Sequence, residues 1–286
     1  MMRCAVLGSP IAHSRSPRLQ EEFARGVIPE FSYIKIETTC DTLHETVGRL
    51  VSEGYSGFNC TMPLKTDMAG LCDEITREAE ILRSVNTVTI RGGRLYGDTT
   101  DGRGILLTVR RALGMVDSSL DTVVRGKRVL LLGAGGAARS VALSMALGGA
   151  ELTVLNRTVE SAEKLCAMLS DAGAPGVSYG GLTLPELRNA AEQTDILVNC
   201  TAAGMTGKAG FESLSFLEAL CPGSLVIDAV YEPLETELLK RAGELGLKTA
   251  SGLWMLVYQG ALAFGNWTGN LPDEDACMRA FDVIKG

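Results

Sequence analysis

The sequence has few of the residues that build metal centres and disulfide frameworks. It contains only two histidines, His13 and His44, and its eight cysteines are spread singly along the chain without a Cys-x-x-Cys pair. Zinc sites require several Cys or His ligands at short spacings, and disulfide scaffolds are short, cysteine-dense chains. We therefore expect neither a metal nor disulfides, and we interpret most of the cysteines as small buried apolar side chains.

Runs of basic residues and long apolar runs are also absent. The 27 Lys and Arg residues are outnumbered by 34 Asp and Glu, for a net charge of -7, whereas nucleic-acid binding requires a basic surface. No apolar run reaches the roughly 18 residues that span a bilayer, and the N-terminal residues lack the layout of a signal peptide. We expect a cytoplasmic monomer or homodimer whose partner is a small molecule, not a nucleic acid or a membrane.

The length and composition suit a folded protein of two domains. The chain has 286 residues, of which 46% are hydrophobic and 21% charged, and domains usually hold roughly 100 to 150 residues. In the first third, short strand-like runs alternate with helical ones, which is typical of an α/β domain. We predict strands at 4–7, 33–36 and 57–61 and a hairpin of 88–91 and 94–97 around Gly92-Gly93.

Two helix starts can be predicted in this region from their capping residues. Ser16 before Pro17 has the pattern of an N-cap hydroxyl followed by a proline in the first turn. A second helix is expected to begin near Asp41, where Thr42 and Glu45 have the spacing of a capping box.

The middle of the chain repeats strand, helix and strand in the manner of a doubly wound parallel sheet. The predicted strands lie at 129–132, 152–155, 196–200 and 225–230. The apolar stretch 253–267 exceeds the usual strand length and predicts a helix, and Pro272-Asp273 predicts the start of a last helix.

A glycine-rich turn follows the first of these strands and has the G-x-G-x-x-A pattern of dinucleotide-binding domains. The residues are Gly133, Ala134, Gly135, Gly136, Ala137 and Ala138. Glycines allow the tight turn and the close approach of a pyrophosphate, and the following helix offers N–H donors. The next strand ends in Asn156-Arg157-Thr158, where NAD-binding domains usually have an acidic residue. A guanidinium there favours a 2′-phosphate, and therefore NADP.

Four polar segments upstream combine strand ends with turn residues. They are GSPIAHSRSP at 8–17, GFNCTMPLK at 57–65, VNT at 85–87 and GDTTDGRG at 97–104. Each segment alone is compatible with helix capping or a turn. In this order, before an NADP-type turn and the C-terminal SGLWMLVYQGALAFGNWTG at 251–269, they resemble the shikimate dehydrogenase family along nearly the whole chain.

The resemblance implies a fold, a reaction and a set of residues. It implies reversible NADP-dependent reduction of 3-dehydroshikimate to shikimate in chorismate and aromatic amino-acid biosynthesis, with Lys65 and Asp101 as the catalytic pair. The implied fold is an N-terminal α/β substrate domain, 1–103 with 253–286, whose C-terminal helices pack back on it, and a Rossmann domain, 104–252. Gly252 and Met255 are implied to contact the cofactor. The implied substrate-binding residues are Ser14, Ser16, Asn59, Thr61, Lys65, Asn86, Thr100, Asp101 and Gln259.

The chain departs from the family pattern at several positions. Thr99 replaces an Asn, Gln20-Glu21 replaces His-Asn and Arg83-Ser84 replaces Gly-Ala. Ser161 stands where a second arginine for the 2′-phosphate is common, and Lys164, one helical step away, is a candidate substitute. NAD use, alone or beside NADP, and quinate as substrate therefore remain open. A non-catalytic NADP-binding regulator is a further alternative, against which the presence of Lys65, Asp101 and Gln259 argues.

Overall fold

The computed structural model describes all 286 residues, which form two compact units. Unit 1 comprises Met1–Thr100 and Val257–Gly286, and unit 2 comprises Asp101–Leu256. The domain boundaries given by the sequence, 1–103 with 253–286 and 104–252, stay a prediction. No helix in the structure has both the length and the apolar character that crossing a membrane requires.

The chain contains twelve strands and eleven α-helices. The strands are β1 (Met2–Gly8), β2 (Phe31–Glu37), β3 (Gly57–Cys60), β4 (Glu74–Ile75), β5 (Thr87–Arg91), β6 (Arg94–Asp98), β7 (Arg128–Leu132), β8 (Glu151–Asn156), β9 (Val177–Gly181), β10 (Ile196–Asn199), β11 (Leu225–Asp228) and β12 (Lys248–Ser251). The helices are α1 (Ser16–Ala24), α2 (Cys40–Ser52), α3 (Lys65–Leu71), α4 (Arg77–Leu82), α5 (Asp101–Ala112), α6 (Gly136–Leu147), α7 (Val159–Asp171), α8 (Leu184–Ala191), α9 (Glu237–Glu244), α10 (Gly252–Thr268) and α11 (Glu274–Ile284).

Unit 1 is built on a mixed six-stranded sheet with the order β2-β1-β3-β5-β6-β4. β1 pairs in parallel with β2 and β3, whereas the hairpin partners β5 and β6 are antiparallel to each other and β5 is antiparallel to β3. One face buries an apolar cluster that includes Phe58 and Met68. The other face packs against Trp267 of α10, whose indole N–H donates to Val88 O at 2.9 Å. α10 thus packs on the first sheet and α11 packs against α1, so the C-terminal helices return to the first unit, as predicted.

Both predicted N-caps in unit 1 are wrong, by one residue in α1 and by three residues in α2. Ser16 is the first residue of α1 rather than its N-cap, and Ser14 Oγ accepts the hydrogen bond of Ser16 N–H at 3.3 Å. The capping box of α2 joins Thr39 and Thr42, not Thr42 and Glu45. Two threonines at the N-cap spacing satisfy the same backbone groups that a Thr/Glu pair would satisfy, and the sequence pattern alone did not separate the two registers.

Unit 2 is built on an all-parallel sheet with the order β12-β11-β10-β7-β8-β9. This is the doubly wound arrangement predicted from the sequence, and the strand order reverses between β7 and β10, next to the glycine-rich turn. Leu130, Leu197 and Val226 of neighbouring strands lie in one buried apolar cluster. The two edge strands, β9 and β12, were not predicted, because VSYGG and KTAS lack the apolar runs of the central strands.

Candidate functional site

Strand direction brings the predicted substrate segments of unit 1 to one edge of its sheet. Because β1 and β3 are parallel, their carboxyl ends, Gly8 and Cys60, lie at the same edge. β5 is antiparallel to β3, with Thr87 opposite Asn59, so β5 begins at this edge, and β6 ends there with Asp98 opposite Thr87. The segments 9–16, 61–65, 85–87 and 99–100 therefore meet at a single sheet edge, although they are far apart in sequence.

A buried network of neutral polar side chains occupies this edge. Asn86 Oδ1 accepts hydrogen bonds from Thr100 N–H at 2.9 Å and from the Thr87 hydroxyl at 2.9 Å. Asn86 Nδ2 donates to Thr100 Oγ1 at 3.1 Å. All three residues are almost completely inaccessible to solvent. The network fixes the start of β5 against the end of β6, and Asp101 follows Thr100 directly as the first residue of α5.

Asn59 is part of the same network, and its amide is oriented by Tyr33. The Tyr33 hydroxyl donates to Asn59 Oδ1 at 2.7 Å, while Asn59 Nδ2 donates to Asn86 O at 3.1 Å and to Thr87 Oγ1 at 3.0 Å. Burial raises the pKa of the Tyr33 phenol well above its usual range, which keeps this donor protonated. Both amide hydrogens of Asn59 are thus used within the protein, so Asn59 has only acceptor capacity left for a ligand.

The loop that carries Ser14 and Ser16 is held by contacts from several elements. Ser9 N–H donates to Met62 O at 3.1 Å, and Ile11 N–H donates to the Glu37 carboxylate at 3.1 Å. Arg15, between the two serines, donates to Ile284 O at the end of α11 at 2.7 Å. Both serine side chains remain partly accessible. The loop is therefore ordered by contacts that leave its hydroxyl groups at the surface of the unit.

Thr61, Lys65 and Gln259 complete the predicted set in unit 1. Thr61 follows β3 and its N–H donates to Leu7 O at 2.9 Å, which holds the ends of β1 and β3 together. Lys65 is the first residue of α3, and its side chain is half-buried. Burial raises the pKa of the Cys60 thiol, and the positive charge of Lys65 opposes that rise. Gln259 lies half-buried on α10.

In unit 2 the glycine-rich turn has the geometry that its sequence predicts. Gly133 has φ of +106°, and a Cβ there would lie 3.1 Å from the carbonyl carbon and oxygen of Cys200. Ala138 is fully buried under the turn. Gly135 and Gly136 are exposed at the N-terminus of α6 and have open space where a side chain would be. A pyrophosphate at this position would meet backbone N–H groups and the positive end of the helix dipole.

The turn after β8 presents a cationic side chain next to a helix N-terminus. Asn156 Nδ2 donates to Thr158 O at 2.9 Å, and Thr158 is the N-cap residue of α7. Arg157, between them, is exposed. Lys164, further along α7, is also exposed. The backbone N–H of Ser161 donates to Thr158 O at 3.0 Å. The Arg157 guanidinium is therefore accessible to solvent, and its binding of a phosphate stays a prediction.

The start of α10 is packed tightly against the loop that follows β11. A Cβ on Gly252 would overlap the backbone of Ala229, so only glycine allows this approach. The Ser251 hydroxyl accepts the hydrogen bond of Leu253 N–H at 3.2 Å, and Met255 is nearly buried one turn later. These contacts fix the position from which Gly252 and Met255 are predicted to contact the cofactor.

A buried polar group at the ends of β10 and β11 was missed by the sequence analysis. Asp228 Oδ1 accepts from Asn199 Nδ2 at 2.9 Å and from Val230 N–H at 3.0 Å, and Asp228 Oδ2 accepts from the Thr236 hydroxyl at 2.6 Å. Asn199 and Asp228 are completely buried. The signal was present in the sequence, because both central strands end in a polar residue after an apolar run.

The residues that depart from the expected pattern have defined positions in the structure. Gln20 is buried and its amide N–H donates to Gly260 O at 3.0 Å, which joins α1 to α10 one residue from Gln259. Arg83 ends α4 in the left-handed conformation, with φ of +49°, and is the only non-glycine residue with positive φ. Thr99 is buried, and its N–H donates to Asp98 Oδ1 at 2.7 Å.

Comparison with known proteins gives consistent matches along the chain. Residues 6–88 match the shikimate dehydrogenase substrate binding domain, residues 115–207 the shikimate/quinate 5-dehydrogenase family, and residues 252–280 the shikimate 5'-dehydrogenase C-terminal domain. The NADP(+) shikimate dehydrogenase of Alkaliphilus metalliredigens is 39% identical over 94% of the chain and 92% of its own length.

Solved structures share the fold over the same extent. The shikimate 5-dehydrogenase of Thermus thermophilus, in complex with NADP(H) and shikimate, superposes with a TM-score of 0.82 at 33% identity and covers 99% of this chain and 100% of its own. The ligand-free 5-ketofructose reductase of Gluconobacter sp. strain CHM43 gives a TM-score of 0.86 at 29% identity, covering 99% and 98% of the two chains.

Proposed function

Because the chain belongs to the shikimate dehydrogenase family, we propose that it catalyses the reversible NADP(H)-dependent reduction of 3-dehydroshikimate to shikimate, a step in chorismate and aromatic amino-acid biosynthesis. The observation that carries the proposal is the polar edge of the unit 1 sheet, where Asn86 and Thr100 form a buried network beside the segment that ends in Lys65. A small polyol acid requires such a set of neutral donors and acceptors, since each hydroxyl group needs a partner when it leaves water.

The residues of unit 1 divide into ligand contacts and supporting contacts. Ser14, Ser16, Thr61 and Gln259 keep partly accessible polar groups, and we assign these to the hydroxyl groups and carboxylate of the substrate. Asn59 offers only an acceptor, because its amide hydrogens bind Asn86 O and Thr87 Oγ1. We therefore propose that Asn59 mainly aligns Asn86 and Thr100, the two buried residues of this network that are also predicted to bind the substrate.

Lys65 and Asp101 are proposed as the catalytic pair. NADPH, when bound, supplies a hydride to the keto carbon of the substrate. Negative charge then grows on the keto oxygen, and the Lys65 ammonium stabilises that charge and donates a proton to it. In the oxidative direction Lys65 accepts the proton from the hydroxyl group. Asp101, nearly buried at the N-terminus of α5, is proposed to orient the ammonium and to balance its charge.

The NADP site is proposed to lie on the glycine-rich turn and the two segments near it. Gly135 and Gly136 leave the N-terminus of α6 open, which fits a pyrophosphate. The exposed Arg157 guanidinium fits a 2′-phosphate, with Asn156 and Thr158 shaping its turn. Gly252 and Met255 are proposed to contact the nicotinamide. A single arginine leaves room for some NAD use, because half of the usual charge is absent.

Initial rates with shikimate and quinate, each with NADP and NAD, test the proposal, and Lys65→Ala tests the mechanism. We expect the fastest turnover with shikimate and NADP, and a loss of about a hundredfold or more in kcat for the variant. Lys248→Ala, which removes an exposed lysine at the start of β12, is the matched control and should behave as the wild type. Turnover of quinate with NAD alone would replace the substrate assignment. NADPH binding without any turnover would favour the regulator.

The assembly and location predicted from the sequence are part of the same proposal. We propose a monomer or homodimer that acts on small molecules in the cytoplasm without a nucleic-acid partner. Light scattering of the purified protein measures the mass directly, and a mass of a trimer or larger would contradict it.

A further inference from the structure

The buried carboxylate of Asp228 has no cationic partner but is bound by three donors. They come from two places in the chain: Asn199 ends β10, while Val230 and Thr236 lie in the loop between β11 and α9. Burial raises the pKa of Asp228, and the hydrogen bonds from Thr236, Val230 and Asn199 oppose that rise. Removing a carboxyl group from water costs free energy, and the three hydrogen bonds offset that cost. The contacts of these donors indicate the role of Asp228.

Asn199 extends the same group into the loop after β10. Its side-chain oxygen accepts from Thr201 N–H at 3.0 Å and from the Thr201 hydroxyl at 2.7 Å, and its backbone oxygen accepts from Ala229 N–H at 2.8 Å. The Asn199 side chain therefore determines where Cys200 lies, and Asp228 determines the orientation of that side chain. We call the three side chains of Asn199, Asp228 and Thr236 the polar hub.

The two residues that directly follow the strand ends are the ones that contact the predicted cofactor segments. The backbone of Cys200 lies against Gly133, where a Cβ would come within 3.1 Å of it. The backbone of Ala229 lies against Gly252 so closely that a Cβ would overlap it. One hydrogen-bonded group thus supports both the glycine-rich turn, through Cys200, and the first residue of α10, through Ala229.

We propose that Asp228 is a positioning residue for the cofactor, which acts through the polar hub to hold the Cys200 and Ala229 backbones against Gly133 and Gly252. Asp228 is completely buried, so it acts without touching the ligand. A ligand that binds at several points loses affinity when the backbone that carries those points shifts even slightly. The inference rests on the proposed NADP(H) site. It identifies the group that holds the glycine-rich turn and the start of α10 in their relative positions.

The test compares NADPH dissociation constants, measured by fluorescence titration, for substitutions at Asp228. Asp228→Ala removes the acceptors for Asn199, Val230 and Thr236, and we expect a dissociation constant about tenfold higher or more. Asp228→Asn keeps one carbonyl oxygen for Asn199 and Val230 and an amide toward the Thr236 hydroxyl, which can accept. It should restore binding to within about threefold of the wild type.

Asp195→Ala provides the matched control at the opposite edge of the same sheet. The Asp195 carboxylate binds the Arg128 guanidinium at 3.2 Å and the Arg128 backbone N–H at 2.9 Å, so its loss also destabilises the β7/β10 pair. It should lower the midpoint of thermal unfolding and leave the NADPH dissociation constant unchanged. Thr236→Val removes one of the three donors to Asp228 and also the acceptor of the Leu239 N–H at the start of α9. It replaces Asp228→Ala if that variant does not fold, and should weaken NADPH binding to a smaller degree.

The outcomes separate the inference from the function on which it rests. Wild-type protein that binds no NADPH contradicts the proposed function itself. Wild-type protein that binds NADPH while Asp228→Ala, or Thr236→Val in its place, binds it equally well overturns the positioning role. An equal loss of affinity in Asp195→Ala would also overturn it, because the effect would then follow from reduced stability of the sheet.

Discussion

At the scale of single residues, Tyr33 shows how a side chain outside the predicted set supports one within it. Its buried hydroxyl is the donor that fixes the orientation of the Asn59 amide. Tyr33→Phe leaves Asn59 Oδ1 buried without that donor, and we expect unfolding to become easier by about 1–3 kcal/mol. Urea denaturation measures the difference.

Tyr179→Phe is the control for this substitution. The Tyr179 hydroxyl also donates to a side chain, Glu163 at 2.9 Å, but the contact is exposed on the surface of unit 2. Its loss should change the free energy of unfolding by less than about 0.5 kcal/mol. Equal effects of the two substitutions would show that the buried Tyr33–Asn59 hydrogen bond stabilises the protein no more than an exposed one does.

Arg157 is the residue that we propose to favour NADP over NAD in this chain. Arg157→Ala removes the guanidinium proposed to bind the 2′-phosphate, and the lost charge-assisted hydrogen bonds correspond to about 1.5–3 kcal/mol, or roughly a 10- to 100-fold rise in KM for NADPH. KM for NADH should stay the same, because NADH lacks this phosphate. Lys164→Ala serves as the comparison, and a larger effect there would move the phosphate contact to Lys164.

At the scale of secondary-structure elements, Arg83 ends α4 in a conformation that favours glycine. Its φ of +49° places an arginine where the shikimate dehydrogenase pattern has Gly. Arg83→Gly should raise the free energy of unfolding by about 0.5–1 kcal/mol, because the left-handed strain is relieved. The same change in the helical, exposed Arg49 of α2 should lower it by about 1 kcal/mol. Thermal unfolding of both variants checks the opposite signs, and a destabilised Arg83→Gly would contradict the interpretation.

The elements also show which parts of the fold the sequence can predict. The apolar runs of β7 and β10 and the glycines after β7 led to the doubly wound sheet and the cofactor turn, because those features are local. The Asn59–Asn86–Thr100 network depends on antiparallel pairing between strands that are distant in sequence, so the family resemblance named its members but no local pattern predicted their bonds. The polar hub was missed although β10 and β11 each end in a polar residue, because the bonds among its members depend on the pairing of two strands that are far apart in sequence.

At the scale of the whole molecule, the buried cysteines are expected to lower the free energy of unfolding at alkaline pH. Burial raises the pKa of Cys4 from 9.0 to about 12 and that of Cys166 to about 11. Above pH 9 the unfolded chain loses these thiol protons while the folded chain keeps them, so proton loss favours unfolding. We therefore expect these thiols to leave the free energy of unfolding unchanged below pH 9 and to lower it as the pH rises from 9 toward 12.

Urea denaturation midpoints between about pH 7.5 and about pH 10.5 measure this decline. Cys4 lies in unit 1 and Cys166 in unit 2, so we expect the loss to affect the whole chain, with a slope that steepens above about pH 9. Cys4→Ala removes one of the buried thiols and should flatten the slope, whereas Cys221→Ala, at a partly exposed position, should leave it nearly unchanged. A midpoint independent of pH over this range would mean that the buried thiols ionise as readily in the folded protein as in the unfolded chain, contrary to their burial.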